Sequence, residues 1–357
     1  MNIKFKIKNA IMLAMMKHKR KSEPFDGKKN DVFQLPPEAG PQINNSYYFG
    51  GNHMDGTSLI LRLGMRNPDF REVFVIYVKP DGTFYGTERQ QYTAADCPLH
   101  VECIDPEKHF KVWYDGQIND MKTGELLPCQ FHFDYYATMP IHDHMQHSDF
   151  RGMAQAYARA KWNKEFFKES GGETGMDGKA EYKLTQRHYE QIGKFVGSIT
   201  VDGQEQSFDM PAHRDRAFGK RDWNNMDDHI WLVGQTEDGE GFNFSTVSYP
   251  KVKQIFCGYS NVGFDKNYSL IDFRVLKGDF SDGVGPEVFE VECTFNNGKT
   301  VLIRAIRQQD LITTFDNGNY YFHEGVGEFE INGIKARGSI EYGWNKDKSR
   351  WMGPVIK

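Results

Sequence analysis

The residues of this chain best suited to chemistry lie in one short segment, residues 213–223, with the sequence HRDRAFGKRDW. Asp215 stands between Arg214 and Arg216, and further basic residues follow closely. A carboxylate between guanidinium groups forms charge-assisted hydrogen bonds, and such a pair is costly to bury. Three interpretations fit this pattern: a structural arginine–aspartate clasp, a ligand-binding site, or a charged surface loop.

Both flanks of this charged segment have the pattern of β-strands. Residues 196–201 (VGSITV) end at Asp202 and Gly203, a hairpin signal, and residues 207–212 are the expected return strand. On the other side, residues 230–235 (IWLVGQ) predict a further strand. The charged segment is therefore expected either to continue a sheet or to leave its end.

Residues 189–203 and the charged segment together resemble the signature of the AttH-like and carotenoid 1,2-hydratase (hydroxyneurosporene synthase) superfamily. The usual pattern there is R-D-x-S-W-G-x-R, of which this chain keeps Arg214, Asp215, Gly219 and Arg221. It has Ala217 and Phe218 where the pattern has serine and tryptophan. Roles that rest on that hydroxyl or indole nitrogen therefore do not carry over.

Further segments support the resemblance. Residues 320–325 (YYFHEG), 329–333 (FEING) and 338–343 (GSIEYG) resemble the closing strands of the superfamily, and residues 47–50 and 58–64 match more loosely. The resemblance implies tandem lipocalin-like (calycin) β-barrels. It also implies hydrophobic substrates, since relatives hydrate carotenoid double bonds, direct polyene cyclisations or carry lipids.

The composition agrees with a β-rich globular protein. A length of 357 residues exceeds a typical single domain and predicts two. The 35 glycines and 14% aromatic residues favour aromatic-rich strands joined by many turns. The net charge of −5, from 44 Lys and Arg against 49 Asp and Glu, gives no basic surface for nucleic acid.

The predicted fold is all-β, with two lipocalin-like (calycin) antiparallel β-barrel domains in tandem and a short helical insertion between them. Residues 1–30 are assigned to a basic amino-terminal extension and residues 31–180 to the first barrel, with a helix near residues 149–170. Residues 181–357 are assigned to the second barrel, which would carry the charged segment. A glycine-rich stretch places the domain boundary near residues 172–186.

The amino terminus allows several interpretations. Residues 1–30 hold nine Lys or Arg residues, and the apolar run of residues 10–16 is too short for a membrane span. The segment fits a weak secretory signal, a basic amphipathic helix that touches a membrane or partner, or a packing extension. We expect a cytoplasmic protein, with residues 1–21 as the place of any peripheral membrane contact.

Metal and cofactor motifs give little signal. His142, His144 and His147 form the most metal-like cluster, because imidazole suits zinc, copper or iron, but solvated loop histidines are the alternative. The five cysteines form no C-x-x-C pair and are expected to be reduced and mostly buried. Nucleophile-elbow, Walker and H-E-x-x-H motifs are missing from the sequence. Neither a metal nor another cofactor is therefore predicted.

A barrel that encloses one apolar ligand could hydrate or cyclise an alkene if it supplied an acid and aromatic faces that stabilise a cation. Asp215 is the first candidate acid, although neighbouring arginines would keep it ionised. Its alternative role is to orient an arginine, in a clasp of Arg214, Asp215 and Arg221 that borders the pocket. The candidate catalytic residues are Asp215, Glu341 and Tyr342. The candidate ligand-binding residues are His213, Arg214, Phe218, Arg221, Trp223 and Trp231.

Three functional hypotheses follow. The first is an enzyme that hydrates, cyclises or isomerises a terpenoid, polyene or other hydrophobic substrate, and the second is a non-catalytic carrier of a lipid or terpenoid. The third is an interaction module with filled barrels. A cavity lined by a carboxylic acid would favour the enzyme, a wholly apolar cavity the carrier, and the lack of a cavity the interaction module.

Overall fold

A computed structural model describes residues 3–36, 43–67, 69–87, 90–167, 186–220, 222–280, 285–315 and 318–350. The helices are α1 (Ile3–Ser22), α2 (Gly27–Asp31), α3 (His144–His147) and α4 (Arg151–Arg159). The strands of a first sheet are β1 (Ile43–Asn52), β2 (Ser58–Asn67), β3 (Phe70–Val78), β4 (Phe84–Gly86), β5 (Gln90–Thr93), β6 (Leu99–Asp105), β7 (His109–Asp120), β8 (Leu126–Ala137), β9 (His142–Asp143), β10 (Arg187–Val201) and β11 (Gln204–Lys220). Those of a second sheet are β12 (Asp228–Thr236), β13 (Gly241–Ser248), β14 (Ile255–Ser260), β15 (Tyr268–Lys277), β16 (Val288–Phe295), β17 (Thr300–Phe315), β18 (Tyr320–Ile331) and β19 (Ile334–Asn345).

The first sheet closes into an eight-stranded antiparallel barrel. Its strands follow the order β1, β2, β3, β4, β7, β8, β10, β11, and β11 pairs with β1 to complete the ring. The hairpin between β10 and β11 turns at Asp202 and Gly203, both with positive φ (49° and 74°), as a two-residue hairpin turn requires. Phe49, Phe133 and Phe195 are among the side chains that fill the interior.

The second sheet closes in simple chain order from β12 to β19, with β19 pairing back to β12. Phe242, Phe289 and Trp344 contribute to its packed interior. The chain therefore forms two closed eight-stranded antiparallel barrels, and the predicted tandem lipocalin-like fold is confirmed.

The division between the barrels differs from the predicted one near residue 180. Strands β10 and β11 pair with β8 and β1, so the charged segment lies on the last strand of the first barrel. The second barrel begins at β12. Local strand patterns predict that a strand exists but not its partner, which explains the difference. Residues 168–185, which include most of the predicted boundary, lie outside the described residues.

The two barrels pack against each other through outer strand faces. Tyr48, Ile60 and Phe74 from the first barrel share an apolar cluster with Trp231 and Val326 from the second. This contact explains why every residue of β12 is buried, whereas β7 alternates between buried and more exposed positions. Strands covered on both faces lose the two-residue alternation of a half-exposed strand.

Gly50 on β1 lies where the barrels come closest. A Cβ atom there would lie 2.5 Å from the His213 ring and 3.2 Å from Ser339 Oγ of the second barrel. The absence of a side chain at this position permits the close approach of the two strands.

The amino-terminal extension is an ordered packing element. Met12 and Met16 of α1 are buried against Phe150, Tyr157 and other residues near α4. The predicted helix near residues 149–170 corresponds to α4, which is shorter than expected. The opposite face of α1 exposes Ile3, among other apolar residues, and membrane contact through residues 1–21 remains a prediction. Within the described part of the chain, every helix is too short or too polar to span a lipid bilayer.

All five cysteines are free, and Cys97, Cys129 and Cys293 are buried, in agreement with the expectation of reduced and mostly buried thiols.

Packing of α1 can be tested by substitution. Met12→Ala should lower the free energy of unfolding by about 2–5 kcal/mol, because it leaves a cavity in a fully buried contact. Ile7→Ala, at a position that is 55% exposed on the same helix, should change it by less than about 0.5 kcal/mol. Chemical denaturation of both variants measures the difference, and equal small effects would show that α1 does not pack on the barrels.

Candidate functional site

The alternation of side chains along β11 sends the charged segment to two different places. Arg214, Arg216 and Phe218 point into one end of the first barrel, where Arg216 lies 4.0 Å from the Tyr47 ring and Phe218 stacks on Phe33. His213, Asp215 and Ala217 point the other way, toward the second barrel. One strand therefore supplies both a structural face and a cavity face.

Arg214 and Asp31 form a buried bidentate ion pair at the barrel end. Arg214 Nη1 and Nη2 donate to Asp31 Oδ1 and Oδ2 at 2.7 and 3.0 Å. The Tyr189 hydroxyl and the Glu107 backbone N–H also donate to this carboxylate, at 2.9 and 2.7 Å. Burial would lower the pKa of Arg214, but the charge of Asp31 outweighs it and raises that pKa, so the guanidinium is charged.

The clasp of Arg214, Asp215 and Arg221 predicted from the sequence is therefore not the arrangement found. Arg214 binds Asp31 of α2, while Asp215, on the opposite face of β11, forms an ion pair with His188. Arg221 lies outside the described residues. The sequence pattern identified a buried arginine–aspartate pair but assigned the wrong carboxylate, because neighbours along a strand face opposite sides.

A cavity of about 330 Å³ lies between the two barrels. Strands β1, β2, β3, β10 and β11 line one side, and strands β12, β13, β14, β17, β18 and β19 line the other. Lys19 of α1 also borders it. The barrel interiors are packed with side chains, so the ligand position expected inside a barrel is better provided by this space between them.

Four of the predicted site residues meet at this cavity: Asp215, Trp223, Trp231 and Glu341. His213 lies just behind the wall, between the rings of Tyr48 and Trp231, and burial lowers its pKa to about 3, so its ring is neutral. Of the other predicted residues, Arg214, Phe218 and Tyr342 face elsewhere, and Arg221 lies outside the described residues.

Tyr342 and Phe218 do not reach the cavity. Tyr342 belongs to the interior of the second barrel, where its hydroxyl lies 3.5 Å from the Pro286 carbonyl oxygen. Phe218 stacks on Phe33 at the end of the first barrel. Each of the two lies on the opposite strand face from a cavity residue, Glu341 and Ala217 respectively, so the structure places neither at this cavity.

An acidic wall of the cavity comes mainly from the second barrel. Glu324 on β18 and Glu341 on β19 are directly opposite each other in the ladder. Tyr48 donates to Glu324 Oε1 at 2.7 Å, and His229 Nε2 lies 2.5 Å from Glu341 Oε1. Tyr320, 2.8 Å from His229 Nδ1, fixes the orientation of the imidazole.

The two carboxyl groups of this wall cannot both be ionised at little cost. Burial, together with the charge of Glu341, raises the pKa of Glu324 well above its usual value. Glu324 Oε2 is buried, and the carboxyl groups of Glu324 and Glu341 interact directly, an arrangement that favours one shared proton over two negative charges.

A histidine-rich wall lies on the first barrel. His144 Nε2 is 3.2 Å from Glu190 Oε1, and His188 pairs with Asp215. Burial alone would lower the pKa of His144, but the neighbouring Cys257 and Glu190 outweigh it and raise that pKa well above its usual value. These four side chains, together with Cys257, give this wall a dense set of polar groups.

Trp231 joins the two walls. Its indole Nε1–H donates to Glu190 Oε1 at 3.0 Å, and its ring packs edge-on against Tyr48 with centroids 5.0 Å apart.

The loop histidines do not converge as the sequence suggested. His142 stacks on Tyr259, and His147 accepts a hydrogen bond from the Asp143 backbone N–H at 2.9 Å. Of the three, only His144 turns toward His188 and Glu190. The potential ligand atoms of His144, His188 and Glu190 lie within 4.8 Å of one another. The three histidines of this segment therefore do not form one cluster, and His144 instead lies beside His188 and Glu190.

Sequence reasoning missed Glu324, His229 and Tyr48 as members of the acidic wall. Glu324 and Tyr48 lie in segments that resemble closing and opening strands, but nothing in those segments distinguishes an acid from a surface residue. These residues are recognised as members of the site only once β18 is known to pair with β19 and β1 is known to pack on the second barrel. Both facts require the tertiary structure.

The fold and this cavity define the class: a tandem lipocalin-like β-barrel protein with a polar-walled cavity between its barrels. The chain belongs to the family described as "Domain of unknown function (DUF7064)", which matches residues 28–346. No curated protein matches its sequence.

Solved structures similar to this chain include an AttH protein from Nitrosomonas europaea, with 12% identity, a TM-score of 0.49, and coverage of 90% of this chain and 97% of that one. Kievitone hydratase from Nectria haematococca has 10% identity, a TM-score of 0.48, and coverage of 91% and 97%. CghA has 10% identity, a TM-score of 0.45, and coverage of 90% and 94%. An AttH protein is thus among the structures similar to this chain, as the sequence motif predicts.

The ion pair of Arg214 can be distinguished from the predicted clasp by stability. Asp31→Asn should lower the free energy of unfolding by about 3–5 kcal/mol, because it leaves a buried guanidinium without its charged partner. Asp215→Asn should cost at most about 1 kcal/mol, because this carboxylate borders the cavity. Chemical denaturation measures both, and the reverse order of effects would restore the clasp of Arg214 with Asp215.

The raised pKa of Glu324 predicts a pH-dependent stability. A carboxyl group whose pKa is raised by folding stabilises the fold while protonated, and that contribution is lost as the pH rises through the folded-state pKa. Glu324→Gln stays neutral, so its melting temperature relative to the parent protein should rise as the pH increases above the ordinary glutamate pKa of about 4.3. Glu330→Gln, at an exposed position of the same strand, should show a constant difference. A constant difference for Glu324→Gln as well would contradict the raised pKa.

Proposed function

We propose that this protein is an acid–base enzyme that hydrates, dehydrates or cyclises an apolar small molecule, of the terpenoid or polyene type, held between its two barrels. The observation that carries the proposal is the Glu324–Glu341 carboxyl pair at the wall of a cavity rich in aromatic side chains. Such a cavity combines a proton donor with a low-polarity environment, the two requirements for protonating an alkene or an alcohol.

Glu341 is the proton donor in this proposal. It borders the cavity, whereas Glu324 is buried behind it and holds the shared proton within reach. Tyr48 and His229 fix the two carboxyl groups through their hydrogen bonds. Pre-organised groups of this kind lower the cost of reaching the transition state.

Aromatic rings of the cavity support the positive charge that protonation creates. Trp223, Trp231, Phe74 and Phe322 all border the space. The faces of these rings attract a cation through their quadrupole. In the first step, an alkene carbon takes the proton of Glu341. A water oxygen or a second double bond then attacks the resulting cation. The proton released in that step returns to the Glu341 carboxylate.

Asp215 is a weaker candidate for the acid than the sequence suggested. Asp215 and Glu341 each contact a histidine, but only Glu341 lies opposite a buried carboxyl group whose pKa is raised, that of Glu324. We therefore assign the acid to Glu341, which was also a candidate from the sequence, instead of Asp215.

A carrier would need an apolar cavity without an acid, and a filled interaction module would need no cavity. The carboxyl pair and the histidine-rich wall favour the enzyme over both alternatives. The volume of about 330 Å³ lies at the lower end for small-molecule sites and favours a compact ligand.

Native mass spectrometry of the protein after incubation with an extract of its own cells tests the proposal. The ligand that stays bound is released, identified and offered to the enzyme as a substrate. A terpenoid, polyene or related alcohol that gains or loses water, or changes its ring count, supports the proposal. A bound ligand that the protein never changes supports the carrier.

Glu341→Gln should lower kcat for that substrate by about 10²–10⁴-fold, since it removes the acid while keeping the shape of the side chain. Ligand retention in native mass spectra should persist. Glu102→Gln, at an exposed position of β6, is the matched control and should leave kcat unchanged. Full turnover by Glu341→Gln would assign the acid to another residue.

A further inference from the structure

We propose that the histidine-rich wall binds one divalent transition-metal ion through His144, His188 and Glu190, with Asp215 as a fourth ligand. This inference goes beyond the proposed function and does not depend on it, because the site lies on the first barrel and the carboxyl pair lies mainly on the second. The argument rests on four properties of these side chains: their convergence, their charge, their supporting hydrogen bonds and their access to the cavity.

The ligand atoms converge from separate elements. His188 and Glu190 are two positions apart on β10, so they share a strand face, and His144 approaches from α3. Glu190 Oε1 lies 3.2 Å from His144 Nε2 and 3.9 Å from His188 Nε2. Ligands held at about 2.1 Å from one ion lie about 3–3.5 Å apart, so small side-chain rotations complete the geometry.

Asp215 extends the set to two nitrogens and two oxygens. It is the direct ladder partner of Glu190 and forms an ion pair with His188. Two histidines with carboxylate ligands are a donor set that binds zinc or iron(II).

The charge of the cluster favours a cation. Glu190 is 1% exposed, and Asp215 beside it is only partly exposed. Two carboxylates so close together need positive charge, which either protonated imidazoles or a bound cation supplies. A divalent ion neutralises both and leaves the two imidazoles neutral, as metal ligation requires.

Supporting contacts and access also fit a metal site. The Trp231 indole N–H donates to Glu190 Oε1 at 3.0 Å, the type of outer contact that orients a ligand carboxylate. His144, His188 and Asp215 border the cavity between the barrels. An ion held here would therefore keep a coordination position open to water or to an oxygen atom of a bound molecule.

Zinc titration of the full-length, tag-free protein after removal of metals with a chelator tests the proposal. Isothermal titration calorimetry and elemental analysis should give one zinc ion per chain. Failure to bind zinc saturably at micromolar concentration would overturn the site. Because no substrate is present, that failure would leave the role of Glu341 untouched.

Substitutions locate the ion. His188→Gln and Glu190→Gln should each weaken zinc binding by at least about tenfold, because each removes a ligand. The matched control is His147→Asn, in the same segment as His144. The side-chain oxygen of the new asparagine can still accept the hydrogen bond from the Asp143 backbone N–H. It should bind zinc like the parent protein. Equal loss in the control, or unchanged binding in both ligand variants, would overturn the assignment.

Cobalt(II) gives a readout that does not depend on the folding of any variant. The parent protein loaded with cobalt should show visible ligand-field bands of a nitrogen and oxygen donor set. It should lack a thiolate-to-cobalt charge-transfer band, although Cys257 lies beside His144. A thiolate band would place Cys257 in the coordination sphere and overturn the proposed donor set.

Discussion

The alternation of side chains along β11 is the constraint on which the rest of the structure depends. A strand cannot direct two neighbouring residues to the same face, so Arg214 and Asp215 are separated by the backbone itself. Arg214 then needs another carboxylate in a fully buried position, and Asp31 supplies it from α2, far away in the chain. The result ties the amino-terminal region to the barrel end, while Asp215 borders the cavity and contacts His188.

The space between the barrels is polar on two sides and apolar at its centre. Trp231 connects these parts, because its indole nitrogen binds Glu190 on one wall while its ring contacts Tyr48 beside the other. This arrangement places two groups of ionisable residues at one cavity, linked through a single indole ring.

The sequence predicted the fold well because its signals are local. Continuous apolar runs such as residues 73–78 became strands buried on both faces, and the Asp202-Gly203 pair became the expected hairpin turn. It could not predict that β11 closes the first barrel, since β1 and β11 are joined through partners more than a hundred residues apart. For the same reason Asp215, Trp231 and Glu341 were identified as site residues, but Glu324 and Asp31 were not. A cross-strand neighbour is defined by register, which periodicity along one strand does not encode.

Each barrel closes through its own backbone hydrogen bonds, and Gly50 lacks the side chain that would crowd His213 and Ser339 between them. Side chains that face the cavity are consequently not needed to hold either ladder together. Substitutions there can reshape the space for a different molecule while both scaffolds stay intact. The residues that line the cavity are therefore separate from the backbone ladders that hold the barrels together. Substitutions of the lining residues can change the ligand or the reaction at the least cost to folding.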